Sequence, residues 1–180
     1  MYRNLGACPL IESVVLIPAL DVGQPVWDLR LKYDPSAAAG VPPHITLMFP
    51  FVPPPDLTEP MIDTLEILIG NTTAFQFSLT RVKEFEQGIV FLEPEPANPF
   101  IELTTGISRR FGLLPYGGDF GSEPVPHLTV GILENVSARR QLVKELSGPV
   151  PIVVEAEEAW LMVGSNASRW NVVRQMPFRD

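Results

Sequence analysis

The chain has 180 residues, 46% apolar and 19% charged, a balance that supports a packed core and argues against disorder. Thirteen Lys and Arg against 21 Asp and Glu leave a net charge of −8 and a pI near 4.8. That average field opposes binding along the backbone of a long nucleic acid, while a small nucleotide held in a locally polar pocket stays compatible with it.

From the N-terminus, Leu5-Gly6-Ala7-Cys8 matches a lipid-attachment signal only superficially, because charged and apolar regions upstream are missing. Cys8 is the single cysteine and cannot close an intramolecular disulfide, which leads to the expectation of a reducing compartment, with the cytoplasm as the default. Glu12 to Pro18 is rich in β-branched residues and bounded by proline, so it predicts a first strand buried on both faces. The best apolar run, Val14 to Leu20, contains Pro18 and falls short of the roughly 18 residues a membrane span needs, so a soluble protein is expected. Gln24 to Lys32 predicts a short helix ended by the turn signals Asp34-Pro35 and Ala39-Gly40. His44 to Phe49 predicts a second strand closed by Pro50.

Asp56 is placed to cap a helix reaching about Ile69, with Leu57, Met61, Leu65 and Leu68 at helical spacing. Phe75 to Thr80 and Gly88 to Leu92 suggest a hairpin. Asn98-Pro99 opens a further helix with the stripe Phe100, Leu103, Ile107 and Phe111, ended by Gly112. An irregular stretch from Leu114 to Pro126 precedes a strand at His127 to Leu133. A helix from Ser137, as cap, to Leu146 is followed by strands near Val150 to Val154, Ala159 to Val163 and Trp170 to Arg174. The 20 prolines sit in knots such as Pro53-Pro54-Pro55 between these segments and act as punctuation. Both halves contain a Pro-His-apolar-Thr-apolar strand followed by a helix and more strands, so residues 1–180 are expected to form one domain of two pseudo-duplicated lobes.

The chain has only two histidines, and both stand in the same setting: Pro43-His44-Ile45-Thr46-Leu47 and Pro126-His127-Leu128-Thr129-Val130. Chance would place Pro before and Thr two after both histidines about 3 times in 10⁵. On a strand, residues i and i+2 share a face, so His and Thr point together while Ile45, Leu47, Leu128 and Val130 face the core. The same alternation predicts Met48 and Gly131 on the outward rows and Phe49 turned inward. Two imidazoles across a cleft form a matched base and acid. One takes a proton from water or a ribose hydroxyl and the other gives one to a leaving oxygen. Threonine hydroxyls are suited to hold phosphoryl oxygens in line. A zinc site would need at least one more ligand, and neither Cys8 nor the carboxylates are spaced to supply it, so no metal or other cofactor is expected.

The twin motifs, 83 residues apart, and the lead-in Asp34-Pro35 through Gly40-Val41-Pro42-Pro43-His44 resemble the two-histidine (2H) phosphoesterase superfamily, and within it the bacterial 2'-5' RNA ligase-like proteins. The resemblance spans roughly Ser13 to Phe178. It implies a bilobal α+β fold, with two pseudo-symmetric antiparallel-sheet lobes facing across a groove and helices outside. It also implies cyclic phosphodiesterase chemistry on 2',3'-cyclic or 2'-5'-linked nucleotides or RNA ends, an RNA-processing activity that in some members includes reversible 2'-5' ligation. His44, Thr46, His127 and Thr129 become the catalytic set. Some RNA-acting relatives carry a basic residue shortly after the second motif, whereas this chain continues Gly131-Ile132-Leu133. That departure favours a small cyclic nucleotide over tRNA.

Tyr116, beside Gly117 and Gly118, is a candidate to stack on a base at the groove mouth, with packing of its own loop as the plainer alternative. Trp160, Trp170 and Phe49 read as core, and Glu155, Glu157 and Glu158 as a solvated acidic patch. Arg169 and Arg174 read as exposed charge, with a phosphate contact as the alternative. Two rival functional readings use the same groove: a nucleotide-binding sensor without turnover, and a scaffold whose groove is filled by a partner protein.

Overall fold

The computed structural model describes residues 10–118, 121 and 123–179, so Cys8 and the Leu5–Cys8 stretch lie outside the described residues. Among the described residues, eight strands form two antiparallel four-stranded sheets. The first has the order β2 (His44–Met48), β1 (Glu12–Pro18), β7 (Glu158–Gly164), β8 (Asn171–Pro177). The second has the order β5 (Leu128–Ile132), β4 (Ile89–Glu95), β3 (Phe75–Glu84), β6 (Ile152–Ala156). The sheets do not coincide with the halves of the sequence, because β7 and β8 return from the C-terminal end to complete the sheet that β1 and β2 begin.

Helices cover the sheets away from the cleft. Helix α3 (Glu59–Gly70) packs on β8 and α4 (Asn98–Phe111) on β2, while α1 (Gln24–Tyr33) lies against β5 and α5 (Val136–Leu146) against β3 and β4. The buried face of α4 is the expected stripe of Phe100, Leu103 and Ile107, and Gly112 ends the helix in the left-handed conformation that glycine adopts without steric cost. The one-turn helix α2 (Pro35–Ala38) occupies the expected turn after α1, with the Asp34 side chain accepting from the Ser36 amide.

Two predicted caps are corrected. Asp56 lies in a separate 3-10 turn, Pro54–Asp56, and α3 starts after Thr58, so its buried face is Ile62, Leu65 and Ile69. The proline knot holds the chain out of the α-helix until Glu59, and Leu57, Met61 and Leu68 pack only partly against the core. At α5 the cap is Asn135, whose side chain accepts from the Ala138 amide, and Ser137 is the second helical residue.

Strand β1 is buried on both faces, as its β-branched run predicts. Val15 and Ile17 join a core that runs through both sheets and all four longer helices, while Val14 and Leu16 pack with Val41, Met162 and Trp170 in a smaller cluster. Because Val14 and Trp170 also line the cleft, this second cluster is the apolar floor of the site.

Each histidine strand carries one irregularity at the same place. Thr46 pairs with Leu16 but Met48 with Val15, leaving Leu47 as an extra residue; Thr129 pairs with Phe91 but Gly131 with Val90, leaving Val130 extra. The extra residue reverses the alternation beyond it. Met48 and Gly131 are therefore buried, not on the outward rows, and Phe49 lines the cleft instead of facing the core. Glycine at 131 answers a close approach: a Cβ there would stand 2.7 Å from Leu142 Cδ2 and 2.8 Å from Tyr33 Cβ.

Candidate active site

The two histidine strands are edge strands of different sheets that approach one another, and a cleft of about 360 Å³ opens between them. His44, Thr46, His127 and Thr129 all line it, while Ile45, Leu47, Leu128 and Val130 are buried on the opposite face. Short-range alternation up to the threonine thus places these four side chains as the sequence predicts.

The two rings are oriented identically. His44 Nδ1 lies 2.8 Å from the Pro42 carbonyl and His127 Nδ1 2.7 Å from the Val125 carbonyl, in each case the residue two before the histidine. A carbonyl only accepts, so Nδ1 carries a hydrogen in both rings and Nε2 is left for the cleft. The intervening Pro43 and Pro126 have restricted φ, which fixes the backbone path between each carbonyl and its ring. This supplies a physical reason for the proline in each motif.

Tyr116 sits within the site rather than at its mouth. Its ring stacks on His127 with centroids 6.0 Å apart and planes at 26°, Phe49 lies edge-on at 6.5 Å, and its phenol shares a hydrogen bond with Thr46. The residue has φ of 52°, a left-handed backbone costing about 1–2 kcal/mol in a non-glycine residue, and its amide donates to the Phe49 carbonyl at 2.5 Å. Beside Tyr116 a narrower, more apolar chamber of about 90 Å³ shares Thr46 and His127 with the main cleft.

Burial is the first cause lowering the His44 imidazole, to about 4, and the Arg30 charge is the second; the Pro42 carbonyl and the Asp34 carboxylate oppose them. Burial also lowers His127, against the raising effect of the Val125 carbonyl. Both rings are therefore neutral at pH 7 in the empty cleft, and each retains a free Nε2 lone pair. Burial raises the Tyr116 phenol, which stays protonated.

Arg30 and Asp34 were not anticipated as part of this region. Their ion pair, 2.6 Å long, is almost wholly buried. Arg30 Nη1 donates to the Val41 carbonyl at 3.2 Å, Nη2 to Ser36 Oγ at 3.1 Å, and Nε to the Thr129 carbonyl at 3.0 Å. One side chain on α1 thus bonds the segment leading into the first motif and the backbone of the second. The only sequence hint was the i, i+4 spacing of opposite charges, which more often marks a solvated helix face.

Trp170 is buried, as predicted, but its exposed edge forms part of the cleft wall; Trp160 is partly buried beside the same cluster. Arg169 is exposed. Arg174 ion-pairs with Glu59 and Glu66 at 2.9 Å each, away from the cleft lining. Glu155 accepts from Gln76, Glu158 from the Trp160 indole, and Glu157 is exposed. After the second motif Ile132, 51% exposed, lines the cleft at its rim. Among the described residues no three His, Cys, Asp or Glu side chains gather as a metal-holding group, and no helix is long and apolar enough to cross a membrane.

Two antiparallel sheets presenting paired His-x-Thr strands to a common cleft define the two-histidine class of fold and site. Residues 18–167 match the model of the 2'-5' RNA ligase superfamily, and the chain belongs to that superfamily of two-histidine phosphoesterases. A Bacillus cereus (strain G9842) protein bearing a phosphoesterase name is 29% identical over 125 residues, covering 66% of this chain and 67% of its own. A similarly named protein of Bacillus cytotoxicus is 28% identical over 120 residues, with the same coverage of 66% and 67%. The fold is similar to that of E. coli LigT in its complex with NADP+, at a TM-score of 0.59 and 16% identity over 97% of this chain and 100% of LigT. It is likewise similar to a crystallised phosphoesterase, at a TM-score of 0.60 and 17% identity over 94% of this chain and 99% of the other.

Proposed function

We propose that the protein is a phosphodiesterase that opens 2',3'-cyclic or 2'-5'-linked phosphodiesters of small nucleotides or RNA ends, without a metal, with reversible 2'-5' ligation as a secondary activity in which a 5'-hydroxyl takes the place of water on a 2',3'-cyclic phosphate. The observation that carries this reading is the matched orientation of the two rings, each with Nδ1 committed to a backbone carbonyl and Nε2 left for the cleft. One neutral imidazole takes a proton from water as the water oxygen bonds to phosphorus. The bond from phosphorus to the leaving oxygen breaks, and the other imidazole, protonated in the complex, gives its Nε2 hydrogen to that oxygen. The products are a phosphomonoester and a free hydroxyl, and proton exchange with solvent restores both rings.

Binding prepares the acid. A phosphodiester anion between two lowered imidazoles favours protonating one of them, so substrate brings the acid into its working state. Thr46 and Thr129 hydrogen-bond the non-bridging oxygens, and Tyr116, with Phe49 and Trp170, supplies aromatic surface for a base. LigT has been crystallised with 3'-AMP, ATP and NADP+, which supports a small nucleotide as the ligand here, as does the apolar Ile132 at the rim.

The test is a panel of 2',3'-cyclic nucleotides and 2'-5' dinucleotides assayed with EDTA present, alongside calorimetry. Product formation insensitive to the chelator supports the reading. Binding without product would make the domain a nucleotide sensor, and failure to bind any nucleotide would leave a protein-filled scaffold.

A further inference from the structure

We propose that Glu12 and Asn166 form the base-reading end of the cleft and select nucleotides whose base carries an amino group beside an unprotonated ring nitrogen. Adenine and cytosine are then preferred over their keto counterparts, hypoxanthine and uracil. The inference rests on the phosphodiesterase reading above and adds a substrate class to it.

Strand β1 gives the cleft two distinct ends. Alternation puts Glu12, Val14 and Leu16 on one face of that strand, and Glu12 and Val14 line the cleft. Leu16 pairs with Thr46, so the end proposed to hold phosphate lies beside Leu16, and Glu12 stands four residues away, about 13 Å along the strand. Between the two ends Val14, Phe49 and Trp170 make the lining apolar, the two rings lying 6.3 Å apart. A nucleotide laid along this face has its phosphate at Thr46, its base on the aromatic stretch and the hydrogen-bonding edge of that base at Glu12.

Strand register brings Asn166 to the same end. Glu12 pairs with Gly164 across β1 and β7, and Asn166 stands two residues beyond Gly164, in the turn before β8. Both side chains line the cleft. The Trp170 indole donates to Asn166 Oδ1 at 3.2 Å. An indole N–H only donates, so the amide oxygen is fixed on that side and Nδ2 is presented as a donor. Glu12 is half-buried, and among the described residues none donates to its carboxylate or ion-pairs with it. Among the described residues no lysine or arginine lines the cleft to compete for it.

A carboxylate, which only accepts, beside a fixed N–H donor matches one order of groups on a base edge. Adenine offers the N6 amino hydrogen next to N1, and cytosine the N4 amino hydrogen next to N3, in each case a donor beside an acceptor. Uracil offers O4 next to N3–H and hypoxanthine O6 next to N1–H, the same pair reversed. The reversed edge sets a carbonyl oxygen against the Glu12 carboxylate and an N–H against the Asn166 N–H. Both protein groups then stay unpaired, a mismatch worth about tenfold or more in discrimination.

The 2',3'-cyclic monophosphates of adenosine, inosine, cytidine and uridine, assayed in parallel, test this. In the wild type kcat/KM should be about tenfold or more higher for adenosine over inosine and for cytidine over uridine. Glu12→Gln, whose amide both accepts and donates, should bring both ratios to within about threefold of one. The swap Glu12→Gln/Asn166→Asp reverses the order of donor and acceptor and should invert the ratios, a change that general damage to the cleft cannot produce. Equal use of amino and keto bases by the wild type overturns the proposal, as do ratios unmoved in the folded Glu12→Gln or the folded swap. A wild type that hydrolyses bis(p-nitrophenyl) phosphate without sorting the bases keeps the phosphodiesterase reading and loses this one. If it hydrolyses no phosphodiester, that reading fails, and calorimetry with 3'-CMP and 3'-UMP decides the base preference. Binding of 3'-CMP about tenfold tighter sustains it, and equal or absent binding overturns it.

Discussion

Thr46 and Tyr116, 70 positions apart in the chain, share a hydrogen bond across the cleft while the tyrosine ring rests on His127. In the empty site the Thr46 hydroxyl, proposed above to hold a phosphoryl oxygen, is thus already engaged, and a substrate must compete for it. Tyr116→Phe keeps the stacking and frees Thr46, so kcat/KM should change by no more than about threefold. Tyr116→Ala removes the ring and should lower kcat/KM about 10- to 100-fold, as loss of a base-stacking surface does. Steady-state kinetics on a 2',3'-cyclic nucleotide check both. Equal effects would show that the phenol, not the ring, matters.

If the proposed function holds, replacing either cleft imidazole should cost about 10²- to 10⁴-fold in kcat with the far-ultraviolet circular dichroism unchanged. The double variant should lose far less than the product of the single losses, since the two groups act in one step.

Because burial lowers both rings in the empty cleft, kcat/KM should peak below pH 6.5: the acidic limb follows the base losing its lone pair, and the alkaline limb follows the acid losing its proton. The kcat profile should lie at higher pH, because the bound phosphate anion raises both groups. Rates from pH 4 to 9 supply both curves, and coincident profiles would contradict this account.

The same shift links stability to pH. The unfolded His44 ring titrates near 6.5 and the folded one at about 4, so between these values the unfolded chain binds more protons. Its contribution, on the order of 1–3 kcal/mol, is complete above pH 6.5 and disappears as pH falls toward 4. Urea midpoints at pH 7.5 and 5 should differ more for the wild type than for His44→Gln.

Gly131 faces Leu142 and Tyr33 at distances that leave no room for a methyl group. Gly131→Ala should destabilise the protein by about 1–3 kcal/mol, the usual range for overpacking, and adding Leu142→Ala should recover part of it. A double-mutant cycle of urea midpoints measures the coupling.

The histidine pair and its threonines were legible because two identical short strands make their own alternation, and the rule that i and i+2 share a face holds for three residues regardless of what lies around them. The same local physics placed β1, α4 and the glycine that ends it. It failed one residue further on, where extra residues at Leu47 and Val130 turned Met48 and Gly131 inward and Phe49 toward the cleft. A bulge is set by the partner strand, which no local window contains. Helix starts slipped too: Asp56 is drawn into the turn Pro54–Asp56, so α3 begins only after Thr58, and Asn135, two residues before Ser137, caps α5.

Nothing along the chain announces the burial of Arg30, and Asp34 reads there only as part of the turn signal Asp34-Pro35. Only the packing of α1 against β5 withdraws the pair from water and aims the guanidinium at carbonyls 11 and 99 residues away. Local sequence dictated which groups face the cleft. Long-range packing dictated their electrostatic surroundings, because the field at an imidazole is the sum over everything folded around it.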